Sequence, residues 1–484
     1  MNRLYYGDCL TILQEMPLKC VDLIYLDPPF NSDRSYNAIY KDETGRPLPD
    51  QVEAFNDMWV LDEDRERSIR HMPVLVREAG IDDAVAEFWK IWMNALRNTQ
   101  PNLLAYLSYM VERLIWMKGI LKPTGSIYLH CDPTASHYIK IMMDGIFGHK
   151  NFKNEIIWHY QTSSGAPKHH FIKNTDIILF YSKGKNPTFN IVREPWPEST
   201  LKKWQRDENG IYRMNNGKKY YIHPDGKRID NVWNITFSSR SSERLGYKTQ
   251  KPVDLLERII KASTNKGDTV LDPFCGCATT IEAAHNLGRK WIGIDIAIHA
   301  IKRVSKMRLQ ERLNLKEGVD FTIDGVPRNV EGAQDLWNRD KYHFQKWAVE
   351  EIDGFVTSRK SGDGGIDGRL YFEMQEEKDL QSMVVEVKGG KNVGINVIRD
   401  LRGVLERDTA LMAGLIVLHE PGERKRRNFA TEMAQAADLE AYGLHFPRMQ
   451  MLTVQDIFDG KRFKLPGHPR GKSSKAQESI LDNQ

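Results

Sequence analysis

The stretch GDTVLDPFCGCATTIEAA, residues 267–284, decides the fold. A short apolar run at 269–271 leads into Asp272, a turn that contains Gly276, and a helical pattern from Thr279 onward. A strand, a tight turn and a helix start in this order are typical of the ligand-binding corner of a doubly wound α/β sheet. The sequence therefore predicts a Rossmann-like sheet with a binding site at this corner.

Further short apolar runs recur along the chain and predict buried parallel strands. They lie at 21–26, 126–130, 177–181 and 291–294. Helical patterns such as 253–262 and 279–287 lie between them. Because strands alternate with helices, we expect an α/β fold with helices on both faces of the sheet.

The chain has 484 residues, a net charge of +4 and five cysteines. This length predicts two or three domains, and the small net charge leaves any nucleic-acid affinity to local clusters of Lys and Arg. The cysteines form no C-x-x-C pair, which favours reduced thiols over a disulfide framework or a zinc site. No run approaches the roughly 18 apolar residues of a membrane span, so we expect a soluble, cytoplasmic protein without a membrane partner.

Changes in pattern predict the domain boundaries. In residues 1–315 predicted strands alternate with predicted helices. An insertion rich in Lys, Arg, Trp and Tyr interrupts this alternation at 185–242. A polar linker is expected at 316–335 and a second α/β unit at 336–465. The tail at 466–484 has little to bury, and we expect it to be disordered.

The segment CVDLIYLDPPFNS, residues 20–32, places four chemically useful residues after an apolar strand. The lone pair of an aromatic amine is delocalised into its ring, so methylating the amine requires acceptors that favour a pyramidal nitrogen. Asp27 and the carbonyl of Pro28 are such acceptors, and Pro28 and Pro29 stiffen the loop that aims them. Phe30 offers a face on which a flipped base can stack. A plain Pro-Pro turn is the alternative interpretation.

Together these motifs resemble the amino-methyltransferases of DNA, and their order resembles the circularly permuted beta group. The resemblance covers roughly residues 4–310 and includes GSIYLHCDP, NEIIWHY, DIILFYSKG and ERLGYKTQKPVDLLERII. It implies S-adenosylmethionine as cofactor, double-stranded DNA as partner, and transfer of a methyl group to an exocyclic base amine. The family's cytosine N4 enzymes more often begin the catalytic motif with Ser, so Asp27 favours adenine N6, with cytosine N4 as the alternative.

The resemblance also assigns the cofactor pocket. Asp272 and Phe274 would flank the methionine end, Gly276 would let the backbone approach closely, and Asp295 would take the ribose hydroxyls at a spacing of about 20 residues. Lys251 and Pro252, next to Gln250, would help to shape the pocket. Asp8 would accept from the adenine amine, or instead cap the helix that follows it.

Two features of the chain bear on that assignment. Ala278 stands where the family often has a second glycine, and its methyl group is small enough for cofactor binding to survive. The insertion at 185–242 occupies the place of the target-recognition region in the beta group. Its basic and aromatic residues suit phosphate contact and stacking, although a solvated charged insertion would have a similar composition.

The C-terminal unit contains SGDGGIDGRLYF at 361–372 and MVVEVKGG at 383–390. Asp367 and Glu386 would hold Mg²⁺, and Lys388 would neutralise charge on a cleaved phosphodiester. This pattern resembles the PD-(D/E)XK nuclease fold, in particular Mrr-like restriction domains, over about 340–420. Gln345 departs from the acid found in many relatives, and Asp363 is a second candidate ligand. A degenerate nuclease fold that only binds DNA, or an ordinary surface pair of an acid and a lysine, is the alternative interpretation.

The sequence thus predicts a site-specific DNA methyltransferase joined to a restriction-endonuclease-like domain. The alternatives are a solitary methyltransferase whose C-terminal domain only binds DNA, and a regulator that merely senses S-adenosylmethionine. An intact segment from Asp27 to Phe30 disfavours the regulator. The oligomeric state stays open, with a homodimer as one option.

Overall fold

A computed structural model describes the chain over residues 2–29, 59–160, 168–236, 250–357, 365–374 and 380–467. Within these ranges the first unit is built on a nine-stranded sheet. Its strands lie in the spatial order Val232–Asn234, Phe152–His159, Thr175–Ser182, Leu121–Cys131, Val21–Leu26, Thr269–Asp272, Lys290–Asp295, Asn2–Tyr6 and Phe321–Asp324.

The strands of this sheet run in one direction, except for Thr175–Ser182. That strand is antiparallel to both of its neighbours, Leu121–Cys131 and Phe152–His159. The predicted α/β sheet is confirmed, but the prediction that the run at 177–181 is a parallel strand was wrong. A continuous apolar run shows that both faces of a strand are buried, and it carries no information on strand direction.

Both faces of the sheet are covered, as the central strand Val21–Leu26 shows. All six of its residues are buried. Leu23 and Tyr25 belong to one apolar cluster, whereas Ile24 and Leu26 belong to another. Since successive side chains of a strand point to opposite faces, the sheet separates two cores.

Helices of the first unit pack on these faces, except for the short helix Glu198–Leu201, which lies in the segment predicted as an insertion and has no buried residue. They are Cys9–Glu15, Glu63–Glu78, Asp83–Thr99, Pro101–Ile120, Ser136–Phe147, Glu198–Leu201, Val253–Ser263, Thr279–Asn286, Ile298–Arg303 and the π-helix Val304–Arg312. None of the helices in the described ranges is long and apolar enough to cross a membrane.

The segment predicted as an insertion forms small sheets of its own. Gln205–Asp207, Gly210–Asn215 and Lys218–Tyr221 make an antiparallel sheet, and Arg193–Glu194 pairs with Lys227–Arg228. The chain then returns to the main sheet, where Val232–Asn234 pairs with Phe152–His159.

The C-terminal unit is a second α/β body. Its mixed sheet has the order Phe355–Val356, Gly368–Phe372, Gln381–Lys388, Met412–Val417 and Met449–Thr453, and Leu439–Ala441 pairs with Leu444–Phe446. Its helices are Val330–Arg339, Lys341–Glu351, Ile395–Arg407, Glu423–Met433 and Val454–Phe458. Residues 316–335, expected as a linker, contain the strand Phe321–Asp324, which pairs with Asn2–Tyr6. The described part of the tail ends at Gly467.

Candidate active site at the carboxyl edge of the sheet

Four acids predicted from separate motifs lie at one edge of the main sheet. Three of them lie at the ends of adjacent parallel strands: Asp27 follows Val21–Leu26, Asp272 ends Thr269–Asp272, and Asp295 ends Lys290–Asp295. The fourth, Asp8, lies just after the strand Asn2–Tyr6, which is parallel to Lys290–Asp295. Parallel neighbours end at the same edge, which is where open α/β sheets bind ligands. The topology therefore brings the predicted methyl-transfer and cofactor residues together.

Asp27 is held by Lys251. Its Oδ2 accepts a hydrogen bond of 2.5 Å from Lys251 Nζ, and the two side chains are 18% and 11% exposed. Its Oδ1 is buried and has no hydrogen-bond partner among the described residues. Pro28 is buried and Pro29 half-buried, whereas Phe30 lies outside the described residues. Lys251, which was expected to help shape the cofactor pocket, forms an ion pair with the candidate catalytic carboxylate.

Asp272 is buried at the end of its strand. Its Oδ1 accepts from the backbone N–H of Phe274 at 3.1 Å. Burial raises the pKa of Asp272 to about 7, although hydrogen bonds from Thr280 and Phe274 oppose the shift. A carboxyl group in this state can change its protonation, and thus its charge, when a charged ligand arrives.

Asp295 connects the two strand ends of the cofactor corner. Its Oδ2 accepts from the backbone N–H of Gly276 and its Oδ1 from that of Ala297, both at 2.8 Å. Burial raises the pKa of Asp295. The side chain is therefore fixed in orientation, and each oxygen retains a lone pair for a further donor.

Ala278 adopts a left-handed backbone conformation, with φ of 57°, at the start of the helix Thr279–Asn286. It is fully buried. A residue with a Cβ is strained in this region, whereas glycine is not. Alanine in place of glycine at residue 278 therefore strains the backbone of this loop, in addition to filling more space.

Asp8 caps the helix Cys9–Glu15, as its alternative interpretation predicted, by accepting from the backbone N–H of Leu10 at 2.7 Å. Arg113 also donates to Asp8 Oδ1 and Oδ2, at 2.8 and 2.7 Å. The guanidinium of Arg113 stacks on the ring of Tyr109. Asp8 is therefore rigidly held beside the cofactor corner.

Comparisons with known proteins identify the family. A family model described as DNA methylase, that of the N6/N4 methyltransferases, matches residues 21–306. The type II methyltransferase M1.MboII of Moraxella bovis is 36% identical over 205 residues, which are 40% of this chain and 76% of the relative. The type II methyltransferase M.HpaI of Haemophilus parainfluenzae is 30% identical over 285 residues, 58% of this chain and 82% of the relative.

A third relative, the DNA adenine methyltransferase YhdJ of Escherichia coli (strain K12), is 28% identical over 302 residues, 61% of this chain and 79% of the relative. The chain belongs to the N6/N4 DNA methylase family. The family match ends at residue 306, before the C-terminal unit of the methylase begins.

Sequence reasoning missed one part of the methylase site, a buried chain of hydrogen bonds behind Asp27. Tyr25 and His130 interact through the hydroxyl and Nδ1 at 2.9 Å, and His130 Nε2 lies 3.2 Å from Asp176 Oδ2. Tyr160 donates to Asp176 Oδ1 at 3.4 Å. His130 and Asp176 lie within GSIYLHCDP and DIILFYSKG, two segments that carried the family resemblance, but only strand pairing shows that they meet.

In the C-terminal unit, the predicted residues converge around Val387. Asp367 Oδ2 accepts from the backbone N–H of Val387 at 2.7 Å, and the Gln345 amide donates to the Val387 carbonyl at 3.5 Å. Lys388 Nζ lies 2.6 Å from Glu386 Oε1, and burial raises the pKa of Glu386.

Asp363, the second candidate metal ligand in this unit, lies outside the described residues. Over the residues that the structure covers, no group of three or more His, Cys, Asp and Glu side chains is arranged to hold a metal.

Proposed function

We propose that this methylase transfers a methyl group from S-adenosylmethionine to the N6 amino group of adenine in double-stranded DNA. The observation that carries the proposal is the Asp27 carboxylate. Its Oδ1 is buried and has no partner among the described residues, and it belongs to the same sheet edge as Asp272 and Asp295. A buried acceptor without a donor is unfavourable, so an incoming amino group would satisfy it.

The residues at the cofactor corner fit S-adenosylmethionine. Asp295 has a fixed carboxylate with lone pairs left for ribose hydroxyls. Asp272 and Phe274 would lie along the methionine end, where an Asp272 carboxyl with a pKa of about 7 would ionise in response to a positive charge. Gly276 has a φ of 46° and little around its Cα, so the backbone can approach a ligand closely.

The cofactor supplies an electrophilic methyl group on a sulfonium, which leaves as a neutral thioether. Asp27 Oδ1 and the Pro28 carbonyl accept the two N–H groups of the target amine, which directs the nitrogen lone pair away from the ring. Methyl transfer would leave the amine nitrogen positively charged. The nitrogen then loses one proton to the Asp27 carboxylate, which returns it to solvent.

Adenine is favoured over cytosine by Asp27 at the head of the D-P-P-F motif and by the similarity to an adenine methyltransferase. Cytosine N4 is the alternative. Base-resolved modification sequencing of DNA from cells that express the chain distinguishes them, because it identifies the modified base and its sequence context together. N4-methylcytosine would replace the adenine assignment, and unmodified DNA would contradict the whole proposal.

Target recognition is assigned to 185–242. Tyr220 and Tyr221 are exposed there, and the Lys219 ammonium lies 4.4 Å from the ring centre of Tyr212. Exposed aromatic and basic side chains on one small sheet suit base stacking and phosphate contact. Replacing this segment with that of a relative should change the methylated sequence, whereas an unchanged sequence would place recognition elsewhere.

A second function, Mg²⁺-dependent cleavage of DNA, is proposed for the C-terminal unit because Gln345, Asp367, Glu386 and Lys388 meet around one peptide. Asp367 Oδ1 and the second oxygen of Glu386 would bind the metal, since carboxylate oxygens are the ligands that Mg²⁺ prefers. A plasmid cleavage assay with Mg²⁺ or Mn²⁺, with and without a chelator, tests this function. An uncut plasmid with either metal would leave the unit as a DNA-binding appendage.

A further inference from the structure

A loop of the methylase unit presents an aromatic side chain to solvent. It joins the end of the strand Phe152–His159 to the start of the strand Thr175–Ser182. Phe171 in this loop is 96% exposed, more than any other large hydrophobic residue that the structure describes. Single apolar side chains are common on protein surfaces, so this exposure indicates a function only together with the position and the surroundings of the ring.

The position of the loop is the edge of the sheet that carries the candidate active site. Because Thr175–Ser182 is antiparallel to both of its neighbours, its start lies at the edge where the parallel strands end. Two strand spacings of about 4.8 Å separate this strand from the one that leads to Asp27. Phe171 lies four residues before Thr175, and thus within about 14 Å of it. The loop is therefore beside Asp27.

The base of the loop is held in place by hydrogen bonds. The Tyr160 N–H donates to the Asn174 carbonyl at 3.0 Å. The Asn174 side chain donates to His159 Nε2 at 2.9 Å, and His159 Nδ1 donates to Asn234 Oδ1 at 2.8 Å. Asn234 ends the strand by which the proposed recognition segment returns to the sheet. The loop is thus fixed between the active site and the recognition segment.

The residues around Phe171 suit the backbone of DNA. All of residues 168–173 are exposed, and two lysines and two histidines among them flank the ring. Lysine ammonium groups attract phosphates whatever the base sequence. His170 Nδ1 donates to the Phe171 carbonyl at 2.8 Å, which restricts the backbone next to the ring. Proteins that enter a base stack combine an apolar wedge with basic side chains in this way.

The proposed reaction creates a place for such a wedge. The target amine lies inside a base pair, so the base must leave the stack before it can reach Asp27. The base turns about its own backbone, and the gap that it leaves therefore lies beside the pocket that receives it. The neighbouring bases lose stacking at this gap, and an aromatic ring inserted there restores part of it.

We propose that Phe171 inserts into the DNA duplex at the gap left by the target base, while Lys168 and Lys173 contact the flanking phosphates. This inference rests on the proposed function, since it requires methylation of a base in duplex DNA. Phe171 is then a positioning residue. It does not contact the reacting amine, and it stabilises the state in which the amine can reach Asp27.

The test compares Phe171→Ala and Phe171→Trp with the wild type on two duplexes that contain the site found by modification sequencing. The target adenine is paired with thymine in one duplex and mispaired with cytosine in the other, which lowers the cost of extruding it. Phe171→Ala should lower kcat/KM about tenfold on the paired duplex and about threefold or less on the mispaired one. Phe171→Trp keeps a ring that stacks and should recover most of the rate.

A second measurement reports the extrusion itself. The fluorescence of 2-aminopurine in place of the target adenine rises when the base leaves the stack, and this rise should be smaller with Phe171→Ala than with the wild type. Leu18→Ala is the control, because Leu18 is 63% exposed in the turn before Val21, at the opposite edge of the sheet. Its kcat/KM and its fluorescence should equal those of the wild type.

A Phe171→Ala variant with the wild-type kcat/KM on the paired duplex would overturn the inference. An equal loss on both duplexes would also overturn it, since Phe171 would then make only a general contact with DNA, and so would a Trp variant as slow as the Ala variant. These results leave the proposed function intact. A wild-type protein that transfers no methyl group to either duplex would instead contradict the proposed function, and this inference with it.

Discussion

Glu350 Oε2 accepts a hydrogen bond of 2.9 Å from the backbone N–H of Ile298, so the C-terminal unit caps a helix of the methylase unit. The helix Ile298–Arg303 follows the cofactor residue Asp295 and has no side-chain cap of its own. Gln345, on the same helix as Glu350, contacts the proposed nuclease site at Val387. One helix of the C-terminal unit therefore contacts both sites.

We expect Glu350→Ala to lower the midpoint of thermal unfolding by about 2–4 °C, because a lost helix cap costs about 1 kcal/mol. It should also weaken the binding of S-adenosylmethionine, since the backbone that follows Asp295 loses its support. Differential scanning calorimetry and titration calorimetry measure the two effects. Glu351→Ala, which removes only a pair with the exposed Lys302, is the control and should shift the midpoint little. Equal losses in the two variants would contradict the capping role.

Ala278→Gly should stabilise the protein by about 0.5–1 kcal/mol. The gain comes from relief of the left-handed conformation at Ala278, and the greater freedom of glycine in the unfolded chain offsets part of it. Ala283→Gly, within the helix Thr279–Asn286, is the matched control and should destabilise the protein. Chemical denaturation of both variants measures the difference, and a loss of stability at Ala278 would mean that its methyl contacts outweigh the strain.

Stability should depend on pH through Asp272. Burial raises its pKa from 3.8 to about 7, so the folded state binds a proton that the unfolded state releases above pH 4. The stabilisation is complete below pH 4 and is lost as the pH rises towards 7, by about 2–4 kcal/mol. Asp272→Asn removes this dependence. As the pH is raised from 4 to 7, the unfolding midpoint of the wild type should therefore decrease relative to that of Asp272→Asn. A difference between the two midpoints that does not change with pH would refute the raised pKa of Asp272.

Lys388→Ala should separate the two proposed activities. It removes the ammonium beside Glu386, which would stabilise charge on the cleaved phosphate, so cutting should stop. Methyl transfer should continue at the wild-type rate without added metal, because its residues lie in the other unit. Plasmid nicking and methyl incorporation are measured in parallel on methylated and unmethylated DNA. A variant that still cuts would remove Lys388 from the cleavage site.

Much of the fold follows from local sequence. The strand Val21–Leu26 was predicted with its observed bounds, because an apolar run that contains one charged residue, Asp22, ends sharply at Asp27. The corner at Asp272 was predicted because a turn and a helix start follow the strand directly. By contrast, Phe321–Asp324 lies in a polar segment and forms a strand by pairing with Asn2–Tyr6 at the other end of the unit, which local composition does not show.

Sequence predicted those parts of the candidate site that lie within one motif, and it did not predict contacts between distant segments. The acids at the strand ends were found, since each follows its own apolar run. The ion pair of Asp27 with Lys251 was not predicted, because the two residues are 224 positions apart along the chain. The contact between His130 and Asp176 depends in the same way on the reversed direction of one strand, a property of the assembled sheet.

Asp27→Ala distinguishes a residue that holds the target amine from one that builds the cofactor pocket. Methyl incorporation into duplex DNA is measured beside the calorimetric affinity for S-adenosylmethionine, with Asp335→Ala, an exposed acid on the helix Val330–Arg339, as the control. We expect Asp27→Ala to abolish incorporation, its cofactor affinity to stay close to the wild-type value, and the control to retain both. If Asp27→Ala still methylates DNA at a substantial fraction of the wild-type rate, Asp27 does not hold the target amine.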